Sequence, residues 1–296
     1  MKNTFLKPTL LLAALLLAFT ACAHSQPKGD NVNVQQADTR ATLADTIEVM
    51  SHAMDRTIKN VVVLPRQYFT MTDDSYPVLY LLHGAYGCYN DWSHKANLHR
   101  LSDKYGVIIV CPDGQDSWYF DSPIDPKMQF ETYVSKELVA YIDSHYRTYA
   151  NRYMRAITGL SMGGHGALWL AWRHPDIYGM CGSMSGGVDI TTIKDHYKID
   201  KRLGKYAANE ALWKSHSVIN LVPTLKNDQF IIIDDGTSDI FIEDNRALHA
   251  ALQQHKIKHD YRERPGRHSW DYWSKSLENH LTAFFCRIQM VEMGDC

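Results

Sequence analysis

Ile157-Thr158-Gly159-Leu160-Ser161-Met162-Gly163-Gly164 is the stretch on which the reading of this chain turns. A short run of strand character, 153–157, leads into a Gly-x-Ser-x-Gly turn, and a run of helical character, 165–172, leads out of it. Strand, sharp turn and helix in that order hold a serine on a strained elbow, with its Oγ projecting above a sheet. Glycine is needed at 159 and 163 because strand and helix backbones close on each other there, leaving no room for a Cβ. Gly and Ser are also common turn residues, so the motif gains its weight from its flanks and from what the rest of the chain supplies.

Working outward from the elbow, strands and helices alternate. Upstream, 46–54 and 57–64 read as opening antiparallel strands, and 76–82 as a buried strand running into His83-Gly84-Ala85-Tyr86-Gly87. A helix is expected over 91–105 and a strand over 107–111, ending at Pro112-Asp113-Gly114. Phe130, Tyr133, Val134, Leu138, Val139, Ile142 and Tyr146 recur at helical spacing and predict a crossover helix with one buried stripe. Downstream, strands at 180–184, 230–234 and 259–264 alternate with helices at 243–254 and 270–285, with a long irregular segment, 188–228, among them. This alternation predicts the α/β class, with a mostly parallel central sheet and helices on both faces. No Pro/Gly-rich linker or internal repeat divides the chain, so 45–296 is read as a single domain.

In open α/β sheets ligands bind beyond the carboxyl ends of the strands. Ser161 follows the elbow strand, Asp239 lies in Asp234-Asp235-Gly236-Thr237-Ser238-Asp239, and His268 lies in Pro265-Gly266-Arg267-His268-Ser269-Trp270. Serine, then acid, then histidine is the order of the α/β-hydrolase fold. A serine hydroxyl is a poor nucleophile until a base takes its proton, and imidazole has the near-neutral pKa for that work. Asp239 would hold the imidazole tautomer and stabilise the imidazolium. The backbone N–H of Met162 and that of Ala85, after the third strand, are the candidate donors to a tetrahedral oxyanion. Asp234, Asp235 and Asp244 are rival acids, read as turn-forming or helix-start residues. Of 15 histidines, His249, His255 and His280 lie in or beside helical stretches, and His83 is expected to shape the oxyanion loop.

The N-terminus carries Lys2 and Lys7, an apolar run over 10–19, and then Thr20, Ala21 and Cys22. That run is too short to span a bilayer and reads as a signal peptide, 1–21. Small residues before a cysteine suggest a lipoprotein site, with Cys22 lipidated and 22–44 a flexible tether, so that a lipid anchor would be the only membrane contact. Ala21-Cys22-Ala23 also fits ordinary cleavage, which would release a periplasmic or secreted protein; both readings export the domain. The hydrophobic share of 45% and charged share of 22% are those of a globular chain with a large core. A net charge of −2 with interspersed signs gives no footprint for nucleic acid. Cys111 and Cys181 read as buried thiols, and Cys286 with Cys296 is a possible tail disulfide. No Cys-x-x-Cys or His-Glu-x-x-His spacing occurs, so neither a metal nor another cofactor is expected.

Leu81-Leu82-His83-Gly84, Pro112-Asp113-Gly114 with Ser117-Trp118-Tyr119, the elbow itself, Asp235-Gly236-Thr237-Ser238-Asp239 and Gly266-Arg267-His268-Ser269-Trp270 together resemble the esterase D group. That group takes in S-formylglutathione hydrolases, tributyrin esterases and the feruloyl and acetyl-xylan esterases of carbohydrate esterase family one. The likeness runs from about residue 45 to residue 286. It implies Ser161, Asp239 and His268 as a triad, Ala85 and Met162 as oxyanion donors, and Trp118 and Tyr119 near the substrate, although both also read as core aromatics. His83-Gly84-Ala85-Tyr86-Gly87 is more similar to the tributyrin and feruloyl branches than to the cytosolic formylglutathione branch. The expectation is therefore an exported serine carboxylesterase for short-chain, acetyl or feruloyl esters of carbohydrates. Two other readings stay open: a thioesterase or acyltransferase using the same acyl-enzyme, and a glycan-binding lipoprotein without catalysis. The segment 188–228 would lie over the pocket as a lid or a specificity loop.

Overall fold

Residues 44–194 and 196–293 are described by the structure, a computed structural model. The leader 1–21, the lipidation site Cys22, the tether up to residue 43 and Cys296 with its tail pairing lie outside them. Eight strands form one sheet in the order β1-β2-β4-β3-β5-β6-β7-β8. β1 (Ala44–Ser51) pairs antiparallel with β2 (Arg56–Val63), and β2 antiparallel with β4 (Ile108–Pro112). The other pairings are parallel and run through β3 (Val78–Leu82), β5 (Arg155–Leu160), β6 (Met180–Met184), β7 (Phe230–Gly236) and β8 (Asp260–Arg264).

Every residue of β3, β4, β5 and β6 is buried, which is why these strands are nearly continuous apolar runs rather than alternating ones. Alternate residues feed two separate cores. Val78, Tyr80 and Leu82 pack on one face with the crossover segment and with α5 (Met162–Arg173) and α8 (Ile242–Gln254). Leu79 and Leu81 pack on the other, against α2 (Leu98–Tyr105) and α9 (Trp270–Met293). Burying one such leucine stabilises by roughly 1.5–3 kcal/mol, so each strand contributes to both layers at once.

Three elements differ from the sequence expectation. The helix expected over 91–105 is two, α1 (Asp91–Lys95) and α2, because the Asn97 side chain accepts the Arg100 N–H at 3.0 Å and starts a new helix. The crossover helix is continuous but changes pitch, from α3 (Phe130–Thr132) through a π-helical turn (Tyr133–Leu138) to α4 (Val139–His145). Segment 188–228 carries α6 (Asp200–Leu203), α7 (Tyr206–Ser215) and the 3-10 turns Val218–Thr224. Trp213 is buried and donates its indole N–H to Gly204 O at 2.9 Å, and with Val188, Ile199, Leu203 and Val218 it joins the core on the α5 face of the sheet.

Candidate active site

The loops at the carboxyl ends of β3, β5, β7 and β8 meet at one cleft. At the elbow Ser161 has φ +55° and ψ −119°, a conformation costly for a residue with a side chain. Close packing holds it there. A Cβ on Gly159 would lie 2.5 Å from Gly163 O, and one on Gly163 would lie 2.5 Å from His83 O. The backbones of β5, α5 and the end of β3 therefore touch directly, and the Ser161 N–H donates to Met184 O at 2.9 Å.

His268 Nε2 lies 2.9 Å from Ser161 Oγ, and its Nδ1 lies 3.0 Å from both oxygens of Asp239. A carboxylate only accepts, so the imidazole proton is on Nδ1 and the Nε2 lone pair faces the serine hydroxyl. Asp239 is buried, and its Oδ1 also accepts the Phe241 N–H at 2.9 Å. The edge-on rings of Phe241 and Trp273, 5.2 and 4.8 Å away, confine the imidazole plane. Met162 N–H opens α5 and so has no intrahelical acceptor, at the positive end of the helix. Gly84 packs on the serine, where an added Cβ would be 3.4 Å from Ser161 Cβ, and Ala85 follows it along the cleft. The cleft holds about 500 Å³ and is walled by Tyr86, Tyr197, Trp270, Trp273 and Asp91.

The structure thus brings together Ser161, Asp239, His268, Ala85 and Met162. Trp118 and Tyr119 are placed differently from the expectation of a substrate wall. Both are buried, at 1% and 0% exposure, and neither lines the cleft. Tyr119 OH sits behind it, donating to His83 O at 3.2 Å and accepting the His83 N–H at 3.1 Å. Trp118 packs edge-on against buried His165, with its indole N–H on Tyr197 O. The wall aromatics are Tyr86, Tyr197, Trp270 and Trp273. Of these, Tyr86 could have been found as the side chain of the oxyanion loop, whereas Tyr197 had no local signal.

The rival acids have other partners. Asp234 is buried against the Arg264 guanidinium at 2.5 Å and the Tyr272 hydroxyl, and Asp244 accepts from the Thr192 hydroxyl at 2.7 Å. His280 faces Thr158 Oγ1 under the sheet, and His249 pairs with His259. His83 Nε2 accepts the Gly114 N–H at 2.8 Å while Nδ1 meets Gly84 O at 2.8 Å, which ties the β3 loop to the β4 loop.

Asp235 stands apart, fully buried beside Asp239, with one oxygen on the Gly236 N–H at 2.7 Å. Burial first, and then the Asp239 charge, push its carboxyl up to about 8. An unfolded aspartate titrates near ~3.9. Between about pH 4 and 8 the folded state therefore keeps a proton that the unfolded state has lost, so this group makes stability fall as pH rises through that window. Asp235→Asn keeps an oxygen for Gly236 and abolishes the titration. The variant is expected to melt several degrees above its parent at about pH 8, an effect of a few kcal/mol, with the gap shrinking toward about pH 4. Melting curves at both pH values check this, and a gap independent of pH counts against a protonated Asp235.

Three comparisons bear on this geometry. Residues 51–284 match the model of the Esterase family. An acetyl esterase of Caldicellulosiruptor saccharolyticus is 29% identical over 214 residues, which cover 68% of this chain and 80% of that one. The S-formylglutathione hydrolase of Bos taurus is 25% identical over 232 residues, covering 69% and 81%. Among solved structures, a ferulic acid esterase superposes with a TM-score of 0.72 at 25% identity, over 82% of this chain and 98% of that one.

Proposed function

Given that the chain belongs to the Esterase family, and is a serine hydrolase of the α/β-hydrolase fold, we propose that it is an exported carboxylesterase acting on short-chain, acetyl or feruloyl esters of carbohydrates. The observation that carries this reading is the Asp239–His268–Ser161 hydrogen-bond relay at the foot of an open cleft that Ala85 also lines. In the proposed cycle Ser161 Oγ attacks the ester carbonyl as His268 Nε2 takes its proton. The tetrahedral oxyanion forms against the N–H groups of Ala85 and Met162, each donor of this kind supplying about 3 kcal/mol of transition-state stabilisation. His268 then protonates the departing alkoxide, and the alcohol leaves an acyl-Ser161. Water, deprotonated by the same nitrogen, releases the acid and restores the serine.

The aromatic rim supports an aryl or sugar ring as part of the ester, because Tyr and Trp faces stack on both. The names of the acetyl and ferulic acid esterase relatives point the same way. The S-formylglutathione hydrolase relative favours a thioester as the second reading. A panel of p-nitrophenyl acetate, methyl ferulate, acetylated xylan and S-formylglutathione separates them. The expected order of kcat/KM places the oxygen esters first, and a preference of tenfold or more for the thioester overturns the substrate assignment. Labelling by a fluorophosphonate probe tests catalysis itself, and an unlabelled protein favours a glycan-binding role.

Export rests on the basic and apolar leader together with Cys22. The mature N-terminus is expected to be a diacylglyceryl Cys22 by mass spectrometry of membrane-extracted protein. A soluble form beginning at His24 would support ordinary secretion instead.

A further inference from the structure

The oxyanion loop is a turn whose Gly87 N–H meets Gly84 O at 3.2 Å. Its third residue, Tyr86, has φ +63°, the left-handed region where such turns ordinarily carry glycine. A tyrosine there stores roughly 1–2 kcal/mol of backbone strain, and something outside the turn must hold it. One carboxylate does so. Asp116, in the loop after β4, accepts the Tyr86 N–H on Oδ1 at 2.8 Å. Its Oδ2 takes the Lys198 ammonium at 2.6 Å, and that ammonium also sits over the Tyr86 ring, 5.3 Å from its centroid. The Asp116 side chain is only 16% exposed, so its charge-assisted bond to the backbone is partly shielded from water.

The bonded N–H belongs to the peptide immediately after Ala85. The direction of the Ala85 N–H depends on the dihedral angles of Gly84 and Ala85, and fixing the next peptide restricts both. The preceding residue is already fixed, by Tyr119 OH on both backbone groups of His83 and by Gly114 N–H on its ring. The loop is therefore held at both ends from the β4 loop, with Asp116 on the Tyr86 N–H, while Asp91 accepts the Cys88 N–H at 3.2 Å where the chain leaves the turn.

We propose that Asp116 is the positioning residue of the oxyanion site: its carboxylate holds the Ala85–Tyr86 peptide in the strained turn that aims the Ala85 N–H at the reacting carbonyl oxygen. This rests on the esterase reading above. Lys198 belongs to the 188–228 segment, so its ion pair makes that segment a brace for the turn as well as a wall of the cleft.

The test is kinetic. Asp116→Ala is expected to lower kcat for p-nitrophenyl acetate roughly ten- to a hundredfold with KM within about threefold, because a misaimed donor is lost mainly in the transition state. A phenylboronic acid, whose adduct with Ser161 places an oxygen in the oxyanion site, should bind more weakly by a similar factor. Asp116→Asn, which keeps an acceptor for the Tyr86 N–H, should recover most of both. Where alanine misfolds, Asp116→Ser takes its place, since a serine side chain is too short to reach that N–H. The proposal is overturned if Asp116→Ala keeps its kcat, if the loss lies in KM with boronate affinity unchanged, or if asparagine is as poor as alanine. Failure of the esterase reading would appear in the parent protein, as absent turnover and absent probe labelling, and would overturn both.

Discussion

Ser161→Ala is expected to lower kcat for p-nitrophenyl acetate by roughly 10⁶, the cost of losing the nucleophile of a three-residue unit. The reason lies in the division of labour at the cleft. Without Oγ there is no acyl-enzyme, and His268 Nε2, 2.9 Å away in the parent, has no hydroxyl to deprotonate. The backbone donors and the cleft walls remain, so substrate affinity should stay within a few-fold and a residual rate above that in water should persist. The elbow should survive, since alanine keeps the Cβ already accommodated at φ +55° and the glycine contacts are untouched. Steady-state kinetics together with fluorophosphonate labelling check the expectation. Turnover above about one per cent of the parent rate, in protein free of contaminating hydrolase, would locate the nucleophile elsewhere.

For Asp239→Asn a loss of roughly 10⁴ in kcat is expected, by inversion of the imidazole tautomer. Asp239 Oδ1 is engaged by the Phe241 N–H at 2.9 Å, so an asparagine would keep its oxygen on that donor. Its amide nitrogen would then face His268 Nδ1. Two donors cannot share that contact, so the ring would lose its Nδ1 proton and carry it on Nε2, pointing at the serine it should deprotonate. Because geometry is conserved, KM should change little, and labelling by the probe should slow by a factor comparable to the fall in kcat. A loss below tenfold would shift the acid's role to buried Asp235 nearby.

The elbow, the parallel sheet and the serine, acid and histidine order were legible because each depends on local chemistry. Glycines at 159 and 163 announce the close approach, all-apolar strands such as Val78–Leu82 announce burial on both faces, and position after a strand places Asp239 and His268. Choosing Asp239 over Asp234 depends on partners that no local spacing shows. The ion pair that removes Asp234 joins it to Arg264, 30 residues away. Trp118 and Tyr119 admitted two readings, cleft wall or core, for a related reason, and the core reading is the one the structure shows. Aromatic residues beside a motif can face the ligand or stand behind the loop that does, and the choice here depends on contacts with His83 and His165 across the fold. Tyr197 lies on the cleft wall where its carbonyl takes the Trp118 indole N–H, and no spacing in segment 188–228 reveals it.

The distribution of Ser161, Asp239 and His268 over the ends of β5, β7 and β8 also sets a timetable for the molecule's own birth. Serine and histidine are 107 residues apart in the chain. A polypeptide emerging from a ribosome therefore carries its serine long before it carries the histidine that faces it. Until β8 pairs with β7 and carries His268 to the cleft, that hydroxyl is an ordinary alcohol. The site is complete only when the chain beyond β8 has also packed, since Trp273 of α9 confines the His268 ring.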